Sequence, residues 1–167
     1  MALTNFDKTI SWRDFPNPLP PGRSEDAVIS VTWDIDPTYA TQGNAVILAS
    51  YIVNVFLVKD DCAVVTSVAN GPKSAELLKH EQGHFDIIAL GAREFHAKVA
   101  GLTAATEKDL DKKIKDLSDK IGQKADIVDA RYDTVTNHSI NTQVQQTWNL
   151  KIDAAKKNAI GTVDNLP

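Results

Sequence analysis

Apolar and polar residues fall into two regimes that meet near Gly71-Pro72. Before that point Val, Ile, Thr, Phe and Trp predominate, in the short runs and alternations that suit strands. After it the chain is mostly Ala, Lys, Asp, Glu, Leu and Gln, with apolar positions recurring at helical spacing. Strands followed by helices make the α+β pattern. The expected architecture is an N-terminal, mainly antiparallel or mixed sheet followed by three helices. It forms a single domain over 1–167, with a strand-rich half (1–70) and a helical half (71–167).

In the first half, residues 9–15 read as a short strand and 16–22 as a Pro-rich loop. Residues 27–35 alternate well enough for a strand that Asp36-Pro37 would end. Residues 45–58 and 63–68 flank Lys59-Asp60-Asp61, which suits a hairpin turn. In the second half, helices are expected over about 73–102, 106–132 and 140–159. Leu110, Ile114, Leu117, Ile121, Ala125, Val128 and Tyr132 form one stripe of the second. Ile140, Val144, Trp148, Ile152 and Ala155 share a side of the third, with Asn137 or Ser139 as its cap.

Composition narrows the function. The chain has 167 residues and a formal net charge of −4, with no basic footprint for nucleic acid or an anionic membrane. The longest apolar run, 45–58, is interrupted and falls short of the roughly 20 residues a spanning helix needs. The first residues lack a basic segment followed by an apolar one, so the chain reads as cytosolic or as a mature form without its signal. A single cysteine, Cys62, excludes a disulfide framework and a Cys-rich zinc site. Any metal must be held by His and carboxylates.

The first long helix carries His80-Glu81-Gln82-Gly83-His84, the His-Glu-x-x-His arrangement of zinc peptidases. Residues four apart rise about 6 Å and nearly eclipse, so both imidazoles can reach one ion. The intervening Glu takes another direction, from which it can act as general base toward a zinc-bound water. With His80 at 0°, His84 falls at about 40° and Glu81 at about 100°. Leu77, Ile88, Ala92, Phe95, Val99 and Leu102 occupy the same sector. Lys79, Gln82, Asp86 and Arg93 fall opposite, as solvent or inter-helix contacts. A carboxylate inside an apolar stripe is costly unless partnered, and a metal with its water would account for all three residues.

A catalytic zinc usually takes a third protein ligand. His96 and Glu94 lie too far along the helix from the motif, at about 18 and 15 Å past His84. His138, Asp133, Asp129 and Glu107 remain as candidates. Tyr132, at the end of its stripe, could donate to a developing oxyanion, though a core tyrosine has the same pattern. An edge strand over the helix, with 64–68 as candidate, could bind an extended peptide. Residues 1–22 could cover the cleft.

The stretch Leu77-Leu-Lys-His-Glu-Gln-Gly-His-Phe-Asp-Ile87 with Ala92-Arg93 resembles a bacterial family of predicted secreted zinc-dependent proteases. Tyr132-Asp133-Thr-Val-Thr136-Asn-His138, with Gln143 and Trp148-Asn149, resembles that family's second signature, except that Ser139 stands where Gly is expected. The resemblance implies a zincin-like fold and a zinc metallopeptidase acting on a peptide or protein. It makes His138 the third ligand beside His80 and His84, with Glu81 as general base. It also implies an exported, secreted or periplasmic mature chain. The competing reading is a non-catalytic zinc-binding module, or a degenerate zincin, acting in protein–protein interaction.

Overall fold

The computed structural model describes residues 1–22 and 25–167. Strand β1 (Ala2–Thr4) is followed by β2 (Asn17–Pro18), β3 (Ala27–Val28), β4 (Val31–Gln42) and β5 (Ala45–Leu57). Then come β6 (Ala63–Val64), a single turn α1 (Thr66–Ala69), and the long helix α2 (Ser74–Val99). A short β7 (Thr103–Ala104) leads to α3 (Glu107–Thr136) and α4 (Thr142–Lys157). This is an α+β fold with two mixed sheets. No described helix is long and apolar enough to cross a membrane.

The larger sheet is built on the β4–β5 hairpin, which turns through Gly43 at φ +61°, a conformation glycine adopts without a Cβ penalty. Strand β1 runs parallel beside β5, and β7 pairs antiparallel with it. Tyr51, Val53, Val55 and Leu57 alternate along β5 and are buried with α2 residues Phe85, Ala89, Ala92 and Phe95 in one core. The strand expected to stop at Asp36-Pro37 continues to Gln42. Pro37 is tolerated because β4 lies at the sheet edge, where one side of the strand needs no ladder partner. Residues 27–35 are two strands rather than one, β3 and the start of β4.

The smaller sheet has the order β2-β6-β3. The expected hairpin across 59–61 does not form. That segment is a 3-10 turn, held by Asn17, whose side-chain amide donates to the carbonyls of Asp60 (2.9 Å) and Cys62 (3.1 Å). Residues 9–15 are not a strand either. Trp12–Asp14 is a 3-10 turn because the Asp14 carboxylate accepts from the Ser11 backbone N–H (3.0 Å) and hydroxyl (3.2 Å).

Helix α3 buries Leu110, Ile114, Ile121, Ala125 and Tyr132, with Leu117 and Val128 packed at the margin, as its stripe predicts. It extends past 132 and ends at Asn137, which takes the left-handed conformation at φ +48°. Helix α4 starts later than expected. Asn141 caps it by accepting from Val144 N–H, and Ile140 lies outside it, largely exposed.

The greatest departure from the helical wheels concerns α2. Residues 83–92 are buried on every side, because the sheet covers one face while α3, α4 and the N-terminal segment cover the others. Asp86 is therefore buried, 2.8 Å from Lys156 of α4. Arg93 donates to the carbonyls of Ala155 (2.6 Å) and Lys156 (3.0 Å). Gln82 accepts from Ile10 N–H and donates to the Lys8 carbonyl, tying the N-terminal segment to the outer face of α2.

Candidate metal centre

His80 and His84 sit one turn apart on α2, both buried, with ring centroids 4.7 Å apart. Each ring is anchored through Nδ1. His80 Nδ1 donates to Gln145 Oε1 on α4 (2.9 Å), and His84 Nδ1 donates to Asp129 Oδ1 on α3 (2.7 Å). Partners of this kind fix the tautomer and aim the other nitrogen, as they do for metal-ligating imidazoles. The two Nε2 atoms consequently face each other at 3.2 Å. Asp133 Oδ1, one turn beyond Asp129 on α3, stands 3.1 Å from His80 Nε2 and 3.3 Å from His84 Nε2.

Three lone-pair donors thus converge. With both Nδ1 atoms protonated, only an added positive charge reconciles them. Without a metal that charge falls on His84. Burial pushes it toward neutrality, but the hydrogen bonds it donates to Asp129 and Asp133, with the nearby Glu81, prevail and raise its pKa to about 10. Burial pushes the Asp133 carboxyl up, but its hydrogen bonds with His80 and His84, with His138 nearby, hold it far below the usual carboxylate range. The residues fit a divalent ion. Zinc–nitrogen bonds of about 2.0–2.1 Å arranged tetrahedrally put ligand atoms about 3.3 Å apart, close to the spacing seen here.

Glu81 is buried at 3% exposure, lines the same cavity, and has no hydrogen-bonding partner among the described residues. Burial raises its pKa, with His84 and His80 pulling the other way. The cavity is about 120 Å³ and is bordered by the acidic residues Glu25, Asp26, Glu81, Asp129 and Asp133, with no Lys or Arg lining it among the described residues. Segment 25–29 lines the same cavity, and the strand within it, β3, pairs with β6 alone among the described residues.

The expected site residues have different fates. His80, Glu81 and His84 are brought together as the motif predicts. His138 reaches the cavity but stands against Asp133, Nδ1 to Oδ1 3.0 Å, rather than within the His80–His84–Asp133 group. Asp133, His138 and Glu25 form a second group of donors mutually within 4.8 Å. Asp129 orients His84. Glu107 is 26 residues before Asp133 on α3 and does not border the cavity. Its distance along the helix, about 39 Å, removes it from consideration.

Tyr132, the expected oxyanion donor, packs behind the two imidazoles. Its hydroxyl donates to the His80 carbonyl (3.1 Å) and accepts from Gln145 (2.5 Å), and its ring stacks on His80 at 4.8 Å. It is fully buried and is not among the residues lining the cavity, and in this geometry its hydroxyl braces His80 against Gln145. Gly83 permits this: a Cβ there would lie 2.6 Å from Tyr132 Cζ. Gln143, quoted in the second signature, is exposed, and Gln145 is the residue that works at the site. The available signal was its place three residues before Trp148, on the buried side of α4. The strand 64–68 is also displaced as a candidate edge, since Val64 is in the central strand of its sheet and α1 follows. Residues 1–22 do not border the cavity.

Two imidazoles and a carboxylate around one point, with a buried glutamate beside them, define the class: a candidate metal-binding site carried on a helix. Residues 72–139 match the model of a family described as a bacterial protein of unknown function (DUF922). That stretch begins just before α2 and ends at the turn bearing His138, so it contains His80, Glu81, His84, Asp129, Asp133 and His138. Searches of curated proteins and of solved structures find no match.

Proposed function

We propose that the chain is a zinc-dependent metallopeptidase. The observation that carries this reading is the convergence of His80 Nε2, His84 Nε2 and Asp133 Oδ1 at 3.1–3.3 Å beside the buried Glu81, which lines the same cavity. His80, His84 and Asp133 would hold the ion, and His138 stands ready beside Asp133. A zinc ion bound there supplies Lewis-acid polarisation of the scissile carbonyl and acidifies a water.

The remaining work belongs to the chain. Glu81, its carboxylate raised in pKa by burial, takes a proton from the attacking water and returns it to the leaving amine. Gln145 and Asp129 keep both imidazoles oriented with Nε2 toward the ion. The unpaired side of β3 offers backbone groups to an extended peptide, which would lie along the cavity as an added strand.

In the test, Glu81→Gln retains zinc and loses roughly 10²–10⁴-fold in peptide hydrolysis. Undiminished hydrolysis by that variant would remove Glu81 from the mechanism. One observation favours a second reading. Because His138 and Asp133 both lie at the cavity, four protein donors would close a tetrahedral site and make it structural. Under that reading the wild-type, zinc-loaded chain hydrolyses no peptide, and His138→Ala weakens zinc as much as His84→Ala does.

A further inference from the structure

A second cavity, of about 420 Å³, opens directly beside the metal centre and shares Asp26, Leu77 and His138 with it. Its volume falls in the range of small-ligand pockets, roughly 300–1,000 Å³. Val68 of α1, Pro72, Leu77 of α2 and Ile140 give it apolar walls, and Lys73 and Glu76 also line it. Ile140 is an isoleucine at 72% exposure, next to a turn in which Asn137, His138 and Ser139 all have positive φ. Three successive non-glycine residues in that region are costly and persist only where surrounding structure imposes them. The turn places His138 on the border of both cavities and Ile140 on the wall of the second.

The edge strand supplies direction. Asp26, immediately before β3, borders both cavities, so a peptide added along β3 at the metal centre passes the mouth of the second cavity there. Successive side chains of an extended chain point to opposite faces, so one residue near the scissile bond would project inward.

Resting on the peptidase reading above, we propose that this cavity is the specificity pocket of the site and takes a large apolar side chain of the substrate, leucine or phenylalanine in size. An exposed isoleucine then has a purpose: it is a wall covered when substrate binds. Gly71 and Pro72, before α2 begins, line the same pocket.

The test uses the zinc-loaded Glu81→Gln chain and short Gly/Ser peptides carrying one Leu, Phe, Asp or Lys at each position in turn, with binding read by fluorescence anisotropy. At one position Leu and Phe should tighten binding about tenfold or more over Gly, the value of an apolar group entering an apolar pocket. Ile140→Asp, which adds a charge to the wall, and Ser67→Trp, which fills the cavity from an exposed position, should each abolish that gain. Equal binding of Leu, Phe and Gly peptides, or a gain that survives both substitutions, overturns the proposal. Cleavage by the unsubstituted chain separates the two readings. Hydrolysis without apolar preference would reject the pocket and keep the peptidase. Apolar-selective binding without hydrolysis would keep the pocket and reject the peptidase.

Discussion

The Tyr132 hydroxyl spans two helices, donating to the His80 carbonyl on α2 and accepting from Gln145 on α4. Tyr132→Phe should therefore cost about 1–3 kcal/mol by stranding buried partners. It should leave zinc content intact and lower peptide turnover less than tenfold. A fall of about 10²–10³ in kcat at full zinc occupancy would instead restore the oxyanion role. Gly83→Ala forces a methyl against the same tyrosine ring and should destabilise by about 1–3 kcal/mol, measured by denaturant unfolding. At this scale the sequence was informative wherever geometry is local. One helical turn brings His80, Glu81 and His84 to one side of α2, so their spacing alone identified them. Asp133 and Gln145 come from α3 and α4, and only packing shows which of their atoms arrive at the ion.

Helices were more legible than strands for a related reason. The α3 stripe repeats over many turns, whereas β2, β3 and β6 are two residues each and owe their existence to neighbours distant in sequence. The wheel for α2 left Asp86 and Arg93 as solvent or inter-helix contacts, and packing decides for the second, because α4 with the N-terminal segment covers that face. Ser139 shows how a departure from an expected Gly is accommodated. It adopts φ +72°, a conformation that costs a side-chain-bearing residue about 1–2 kcal/mol. Ser139→Gly should raise the melting temperature by a few degrees, about 0.5–1 kcal/mol after the entropy of glycine is counted. A lowered melting temperature would show that the serine is preferred there despite its φ.

Across the molecule, buried charge is managed in two ways. Far from the cavity, Glu94 is paired with Lys98 (2.6 Å) and Lys124 (2.8 Å). Burial pushes its carboxyl up, but the two lysines prevail and hold it below its ordinary 4.5. A lowered folded pKa contributes stability above the unfolded value and loses it as pH falls through the folded one. Glu94→Gln should accordingly flatten the loss of stability on acidification below about pH 4.5, read from melting temperature against pH. Around the cavity no lysine or arginine among the described residues plays that part, and five acidic residues border it. A bound divalent cation is the compensation this arrangement asks for, and an ion that binds only the folded chain stabilises it by mass action, about 2.7 kcal/mol at a hundredfold excess over Kd.

The most direct test is zinc content per chain, by elemental mass spectrometry on protein purified without metal-affinity steps. The account predicts about one zinc per chain, as a single three-ligand site requires, and its loss in His84→Ala and Asp133→Ala. A chain that takes up no zinc even after it is added back, or one that keeps its zinc without Asp133, would contradict it.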